Sequence, residues 1–256
     1  MQKQGIYTIQ ENAPLTRDVY RMVLAGDTSA VTAPGQFVNI LIDGCYLRRP
    51  ISIADWDEST LTLIYKVVGR GTRRMADMGG PGAALDLLVG LGNGYDLAAC
   101  GAAPVLLGGG VGVPPLYGLA RRLWQQGCTP TVLLGFNTAA DVFYEREFQA
   151  LGCPTLVATA DGSYGQKGFV TDILAERMKT VGYDLILACG PIPMLRAVAG
   201  LAEKAGVACQ VSLEERMGCG IGACVGCVCK VTDGKDVRHA QVCRYGPVID
   251  AKEVVW

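Results

Sequence analysis

The chain has 256 residues, half of them hydrophobic, and its 23 Lys and Arg nearly match its 24 Asp and Glu, for a formal net charge of −1. That length carries two medium domains and an appendage, with apolar mass to spare for their cores. The charge balance excludes the basic surplus of a nucleic-acid binder and an acidic tail, and eleven cysteines with no apolar leader after Met1 fit a cytoplasmic chain whose thiolates serve as metal ligands.

Residues 19–24, 37–42 and 61–68 are short runs rich in β-branched and aromatic side chains, separated by turn residues such as Ala33-Pro34-Gly35 and Asp43-Gly44. Strands punctuated in this way predict a small antiparallel barrel over residues 1–99. Two polar stretches interrupt it. Arg48-Arg49-Pro50-Ile51-Ser52 sets a guanidinium pair beside an extended strand, with a hydroxyl three residues beyond Arg49. Gly69-Arg70-Gly71-Thr72-Arg73-Arg74-Met75 runs a glycine-rich turn into a short helix, whose free amides, Thr72 and arginines suit a phosphate. Taken singly, either stretch reads more readily as a solvated face of the barrel than as a phosphate site.

Residues 97–120 carry no charge, yet their six glycines and three prolines make them a buried strand, a glycine loop and a helix start rather than a membrane span. From Pro104 onward, strands and helices alternate. Strands are predicted at 105–107, 131–136, 155–160, 184–189 and 208–213, and helices at 116–124, 142–151, 170–180 and 192–205, with Pro114 or Pro115 at a helix N1 position. This is the order of a doubly wound parallel sheet over residues 100–210, whose ligand belongs beyond the carboxyl ends of the strands.

Two glycine-bearing strand ends mark that rim, Gly108-Gly109-Gly110-Val111-Gly112 and Cys189-Gly190-Pro191. The first is not a strict G-x-G-x-x-G, so a plain strand-to-helix turn stands as its alternative reading. Ala160-Asp161-Gly162-Ser163 is polar enough to line the same cleft. After Phe136 comes Asn137-Thr138-Ala139-Ala140-Asp141, which has no cation. A free ribose 2′-hydroxyl would accept Asp141, whereas a 2′-phosphate would want Lys or Arg, and this favours NAD over NADP.

Residues 211–256 are organised around cysteine. Cys219, Cys224 and Cys227 form C-x4-C-x2-C, and Cys243 follows after fifteen residues, which is the plant-type spacing of a 2Fe–2S cluster. A rhombic cluster takes two thiolates on each iron, so the backbone must wrap it closely. Gly220, Gly222 and Gly226 allow the positive φ angles of such a wrap and can turn amides toward sulfur. Zinc also takes four cysteines, but usually in paired C-x2–4-C knuckles, and only one short pair exists here. A Rieske centre needs two histidines against the single His239, and an odd cysteine total argues against a disulfide knot. Cys229, two residues after Cys227, reads better as a small buried hydrophobe than as a ligand.

The order of barrel, nucleotide sheet and iron–sulfur tail resembles the ferredoxin–NADP reductase-like flavoproteins. Arg49-Pro50-Ile51-Ser52 stands where they carry an R-x-Y/F-S flavin motif, Gly71-Thr72 resembles their pyrophosphate turn, residues 108–114 their nicotinamide-nucleotide loop, and Cys189-Gly190-Pro191 their C-G-P motif. Over its whole length the chain resembles the family of electron-transfer subunits of B-type dihydroorotate dehydrogenases, most specifically at residues 215–224 and 242–248. In the related subunits of NADH-dependent ferredoxin:NADP oxidoreductases one cluster ligand is expected to be an aspartate, and here that position is Cys219.

The resemblance implies FAD, with Arg49 on its pyrophosphate, Ser52 near its N5, and Ile64-Tyr65-Lys66 and Gly71-Thr72 along the rest of the dinucleotide. It places NAD at Gly108, Gly109, Gly110 and Gly112 and at Cys189, Gly190 and Pro191, with Cys189 near the nicotinamide or merely a buried thiol. It also implies an FMN-containing catalytic partner subunit, two copies of each chain, which would hold the dihydroorotate site. No residue set here resembles such a site with its own base. The cofactor chemistry agrees, since a nicotinamide exchanges two electrons at once and a 2Fe–2S cluster one, and a flavin between them handles both. Two alternatives stand beside this reading: a stand-alone NADH:acceptor reductase, and a zinc-stapled interaction module without enzymatic activity.

Overall fold

The computed structural model describes residues 2–256. β1 (Lys3–Pro14), β2 (Val19–Ala25), β3 (Phe37–Leu41), β4 (Arg49–Trp56), β5 (Thr60–Lys66) and β6 (Ala84–Leu91) close an antiparallel barrel in the order β1-β2-β5-β4-β3-β6. The period-2 pattern dictates which residues fill it. In β6, for example, Leu85, Leu87, Val89 and Leu91 are buried while the residues between them are not. α1 (Arg70–Asp77) crosses from β5 toward β6 and buries Met75 in the barrel core.

Beyond the barrel come β7 (Pro104–Gly109), α2 (Val113–Gln125), β8 (Thr131–Phe136), α3 (Glu145–Ala150), β9 (Thr155–Thr159), β10 (Gln166–Lys167), α4 (Val170–Arg177), β11 (Leu185–Cys189), α5 (Ile192–Ala205) and β12 (Ala208–Ser212). The tail adds β13 (Val228–Thr232), β14 (Val237–Gln241), α6 (Val242–Tyr245) and β15 (Val248–Asp250). The second sheet runs β10-β9-β8-β7-β11-β12-β15, parallel throughout except for β15. One face is covered by Ile173 and Leu174 of α4 with Leu195 and Val198 of α5, the other by Leu116, Leu119 and Leu123 of α2 with Phe148 of α3. β7 and β11, apolar on both sides, are fully buried at its centre, as a doubly wound sheet requires.

The predicted helices shift at their ends. α2 begins at Val113 rather than 116, so Pro114 and Pro115 fall just inside its first turn, where missing amide donors cost nothing. The helix expected at 142–151 shortens to α3 because Tyr144 takes a left-handed backbone (φ 66°) directly ahead of it, while Thr138 and Asp141 close a separate 3-10 turn, Ala139–Asp141, further upstream. α4 stops at Arg177, short of 180. The uncharged run 97–120 becomes a 3-10 turn, β7 and most of α2, and among the described residues no helix is long and apolar enough to cross a membrane.

The tail is woven into both preceding units. β15 pairs antiparallel with β12, and the amide of Leu213 donates to the carbonyl of Pro247 at 2.9 Å. Asn93, just past β6, donates to the carbonyls of Tyr245 (3.1 Å) and Val248 (2.7 Å) and accepts from the Val248 amide (3.0 Å).

Candidate cofactor sites

Cys219, Cys224 and Cys227 lie on the loop from β12 to β13, and Cys243 is delivered beside them by α6, directly after the β13–β14 hairpin. Side-chain contacts link Cys219 with Cys224 and Cys243 with Cys227, although among the described residues no three of these groups stand close enough together to form a ready-made metal site. Two thiolates on each of two irons is what a rhombic cluster needs, so the site fits it. Burial works against the Cys219 thiolate, yet the amides of Ile221 (3.5 Å) and Cys224 (3.4 Å) donate to its Sγ and bring the thiol down to about 6. Burial and the adjacent Cys227 thiol push Cys243 up to about 12, a cost that metal binding would reverse by displacing the proton.

Gly220 (φ 72°) and Gly222 (φ 81°) take the left-handed angles expected of the wrap, whereas Gly226 does not. Cys229 stays outside the set, its thiol donating to the carbonyl of Ala240 across the hairpin at 3.6 Å. Two amide side chains that carry no sequence signal hold the loop. Gln241 donates to the carbonyls of Gly222 (3.0 Å) and Cys224 (2.6 Å). Asn39, 1% exposed on β3, donates to the carbonyl of Cys219 at 3.1 Å, while its own Oδ1 is buried without a protein partner.

The same β3 pairs with β4 in the register Asn39↔Pro50 and Phe37↔Ser52, which sets the Arg49–Ser52 stretch against the strand that holds the cluster loop. The two polar stretches of the barrel, 22 residues apart, meet here. A Cβ placed on Gly71 would lie 2.3 Å from Arg49 Nε and 2.8 Å from Cζ, so only glycine lets the guanidinium settle on the turn. Thr72 Oγ1 organises that turn by accepting from the amides of Val68 (3.0 Å) and Gly69 (3.2 Å). Arg49 spends its only hydrogen bonds on the carbonyls of Leu47 and Arg48, which leaves donors for an anion. Arg48 turns away from the cradle, its Nη1 bonded to Asp86 Oδ1 (2.8 Å) and to the carbonyls of Asn39 (3.2 Å) and Asp86 (3.1 Å). A guanidinium resting on a glycine turn at a helix start is a cradle that fits a dinucleotide pyrophosphate. Tyr65 has its ring sealed in the barrel and its hydroxyl on Asn12 (2.9 Å), and Ile64 is buried beneath the second sheet, so both face ligand with backbone only.

β7 and β11 are neighbours in the sheet although the chain passes from one to the other only after β8, β9 and β10, which makes their carboxyl ends the topological switch point. In register, Cys189 faces Gly108 there. A cleft of about 450 Å³ opens over this point, lined by Gly109, Gly110, Pro191 and Met194 and, on its far side, by Phe136 and Asp141. Asp141 Oδ2 accepts from the amide (3.1 Å) and hydroxyl (3.0 Å) of Thr138, so it anchors its own turn while lining the cleft. Ala160 lines the cleft too, whereas Asp161 and Ser163 turn onto each other and the Ala139 amide. Cys189 is buried, and burial pushes its thiol up to about 12, so it holds its proton and behaves as a core side chain. Phe169, two-thirds exposed, and Asp18 stand at the rim without a sequence signal, and Lys66, which the resemblance groups with the flavin residues, lines the same cleft from the barrel.

A barrel, a doubly wound sheet and a four-thiol segment joined in this order define an oxidoreductase subunit of the ferredoxin–NADP reductase-like class. Residues 214–255 match the model for the iron–sulfur cluster binding domain of dihydroorotate dehydrogenase B, and residues 106–200 that for the oxidoreductase NAD-binding domain. The chain is 45% identical to the dihydroorotate dehydrogenase B (NAD(+)) electron transfer subunit of Shouchella clausii, over 99% of this chain and 98% of that one. It is 44% identical to the corresponding subunit of a Geobacillus species over the full length of both. It therefore belongs to the family of electron-transfer subunits of dihydroorotate dehydrogenase B. Among solved structures it superposes with a TM-score of 0.87 and 30% identity on an NADH-dependent reduced ferredoxin–NADP oxidoreductase, covering 98% of this chain and 90% of that one. A Neisseria gonorrhoeae ferredoxin–NADP+ reductase with bound FAD and NADP shares the fold at a TM-score of 0.68 and 16% identity, over 80% of this chain and 92% of that one.

Proposed function

We propose that this chain relays electrons from the FMN of a dihydroorotate dehydrogenase catalytic subunit, through a 2Fe–2S cluster and FAD, to NAD+ in pyrimidine biosynthesis. The observation that carries the reading is Asn39, because one residue of the strand beside Arg49-Pro50-Ile51-Ser52 also holds the carbonyl of a cluster cysteine. The flavin cradle and the thiol loop are thus built against each other, as a relay requires.

When bound, the cofactors supply the redox chemistry, and the protein supplies position and electrostatics. Cys219, Cys224, Cys227 and Cys243 hold the iron. Arg49 compensates the FAD pyrophosphate with Gly71 and Thr72 shaping the turn, and Pro50, Ile51 and Ser52 align the isoalloxazine edge, with Ser52 near N5. Gly108, Gly109, Gly110 and Gly112 admit the nicotinamide nucleotide at the strand ends, while Cys189-Gly190-Pro191 form the opposite wall and Asp141 faces the adenosine ribose. The partner is an FMN-bearing catalytic chain, two of each chain forming the complex in the cytoplasm, docked over the cluster segment. Cys219 at the first ligand position, where an aspartate is expected in the ferredoxin-linked relatives, supports this branch of the class.

The test is steady-state turnover. The flavin-loaded chain alone should pass electrons from NADH to an artificial acceptor but should not oxidise dihydroorotate, because removing a proton from carbon needs a positioned base. Adding the catalytic subunit should give NAD reduction by dihydroorotate, and cluster loss should abolish that while sparing NADH:dye turnover. Dihydroorotate oxidation by the lone chain would refute the division of labour.

A further inference from the structure

Helix α2 runs from the nucleotide cleft to the barrel. Its first residue, Val113, follows the Gly110–Gly112 turn directly, and Pro114 and Pro115 stiffen its start. About two and a half turns later, about 14 Å along the axis, it meets the far end of β4. That strand opens with Arg49-Pro50-Ile51-Ser52. One helix and one strand thus connect the nicotinamide turn with the flavin stretch.

The contact between them is close and polar. A Cβ on Gly118 would lie 2.6 Å from the carbonyl oxygen of Ala54, so the helix backbone rests directly on the strand. Arg121 Nη2 donates to Asp55 Oδ1 (2.8 Å) and to the carbonyl of Trp56 (2.6 Å). Arg122 lies over the Trp56 ring, its Cζ 4.0 Å from the ring centre. The Asp55 and Arg121 side chains are only 17% and 26% exposed, so removing one partner strands a charge that water screens poorly. Burial pushes the Asp55 carboxyl above its usual range, against the pull of the Arg121 and Arg122 guanidiniums. Neither Asp55 nor Arg121 lines the nucleotide cleft.

We propose that Arg121 and Asp55 are positioning residues for hydride exchange between NAD and the flavin, fixing α2 on β4 and thereby the separation of the Gly110–Gly112 turn from the Arg49–Ser52 stretch. This rests on the reading of the cleft as the NAD site and of the start of β4 as the flavin side. In the exchange NADH gives up a hydride that FAD accepts, leaving NAD+ and FADH−, so the balance needs no further reactant. A displacement at Arg121 is carried to the turn because the helix between them is a stiff hydrogen-bonded rod.

The experiment compares wild type, Arg121→Met, Arg121→Lys, Asp55→Asn and Gly118→Ala as cofactor-loaded full-length chains. Anaerobic stopped-flow follows flavin bleaching by NADH, NADH deuterated at C4 gives the isotope effect, and ADP-ribose inhibition reports on binding alone. Arg121→Met should slow the limiting rate of bleaching about tenfold or more while the Ki of ADP-ribose stays within about twofold of wild type. The isotope effect should grow, because the hydride step then dominates the observed rate. Arg121→Lys keeps a charge opposite Asp55 and should recover part of the rate. Asp55→Asn keeps the shape and one acceptor, and should slow bleaching about two- to fivefold as a charge-assisted bond becomes a neutral one. Gly118→Ala raises helix propensity yet wedges α2 off Ala54, and should slow bleaching about tenfold with every charge intact.

Limiting rates within about twofold of wild type in Arg121→Met and Gly118→Ala would overturn the proposal, whatever their melting temperatures. A loss confined to NADH and ADP-ribose affinity would do the same. If Arg121→Met folds poorly, Asp55→Asn and Gly118→Ala carry the test by themselves. Wild type whose flavin NADH failed to bleach would instead overturn the reading of the cleft itself.

Discussion

Gly112 gives the sharpest prediction about the nucleotide cleft. Its backbone lies at φ −80° and ψ −10°, which any residue adopts, so a side chain there meets no torsional strain. The obstacle is space. A Cβ on Gly112 would sit 2.2 Å from the carbonyl oxygen of Cys189, 2.4 Å from its carbon and 2.6 Å from the amide nitrogen of Gly190, all of them backbone atoms. These cannot swing aside as a side chain would, because Cys189 is paired on one edge to Gly108 and on the other to Ser212. Gly112→Ala must therefore separate the two strand ends by on the order of 1 Å in a close-packed interior. Overpacking of this kind costs about 2 kcal/mol, which in a domain of this size lowers Tm by about 4–8 °C. The same shift opens the switch point and should weaken NADH turnover by about tenfold or more, since small misplacements at a reacting centre are expensive. Circular dichroism melting and NADH:dye kinetics on the purified variant, with flavin and iron counted, measure both. A Tm within about 1 °C of wild type together with unchanged NADH kinetics would refute the close approach of the two loops.

Four further outcomes are expected. Cys243→Ser should lose iron while Cys229→Ser keeps it, because only Cys243 is paired with Cys227 and Cys229 bonds to its own hairpin; iron and sulfide analysis decides. Arg49→Ala should release flavin on gel filtration, whereas Arg48→Ala should retain it but lose about 1–3 kcal/mol of stability through Asp86 and two carbonyls. Arg48 holds the Asp86 carboxyl below the usual range, so that contribution is present at neutral pH and fades as pH falls below about 4, and the melting gap between wild type and Arg48→Ala should narrow there. Iodoacetamide at pH 8 should leave Cys189 unmodified in the folded chain, since burial pushes its thiol up to about 12; mass spectrometry showing rapid labelling would contradict that burial.

What the sequence reveals divides by physical cause. The barrel, the sheet and the cysteine loop are legible because each follows a period or a spacing, whether alternation in β6, apolar runs in β7 and β11, or C-x4-C-x2-C. Helix ends are less legible, because a local cap such as Thr138 with Asp141 can detach a turn from the helix that follows. Least legible are side chains whose meaning depends on register. Nothing in the sequence marks Asn39 as the residue opposite Pro50 and under Cys219, or Gln241 as the brace of two loop carbonyls. Lys66 is the instructive case. It adjoins two residues sealed in the core, yet its position at the end of β5 leaves it half-exposed and in the lining of the cleft over the second sheet.

The contrast between the two cofactor boundaries follows from what each must do. Electrons cross between a flavin and an iron–sulfur cluster only over short gaps, so that boundary has to be held fixed, and the protein holds it with backbone pairing and amide side chains rather than with charge. β15 completes the nucleotide sheet, Asn93 ties the end of the barrel to both sides of the Tyr245–Val248 turn, and Asn39 joins the flavin-side strand to Cys219. Asn39 is buried, and a buried polar pairing of this kind is costly to break and therefore rigidifying. At the nucleotide cleft the opposite is needed, because NAD must enter and leave. There an exposed lysine–aspartate pair within the barrel, Lys66 with Asp18, borders the cleft, salt-screened and cheap to break. One chain thus keeps its one-electron carrier immobile and its two-electron carrier exchangeable, using for each the class of interaction whose energy matches the demand.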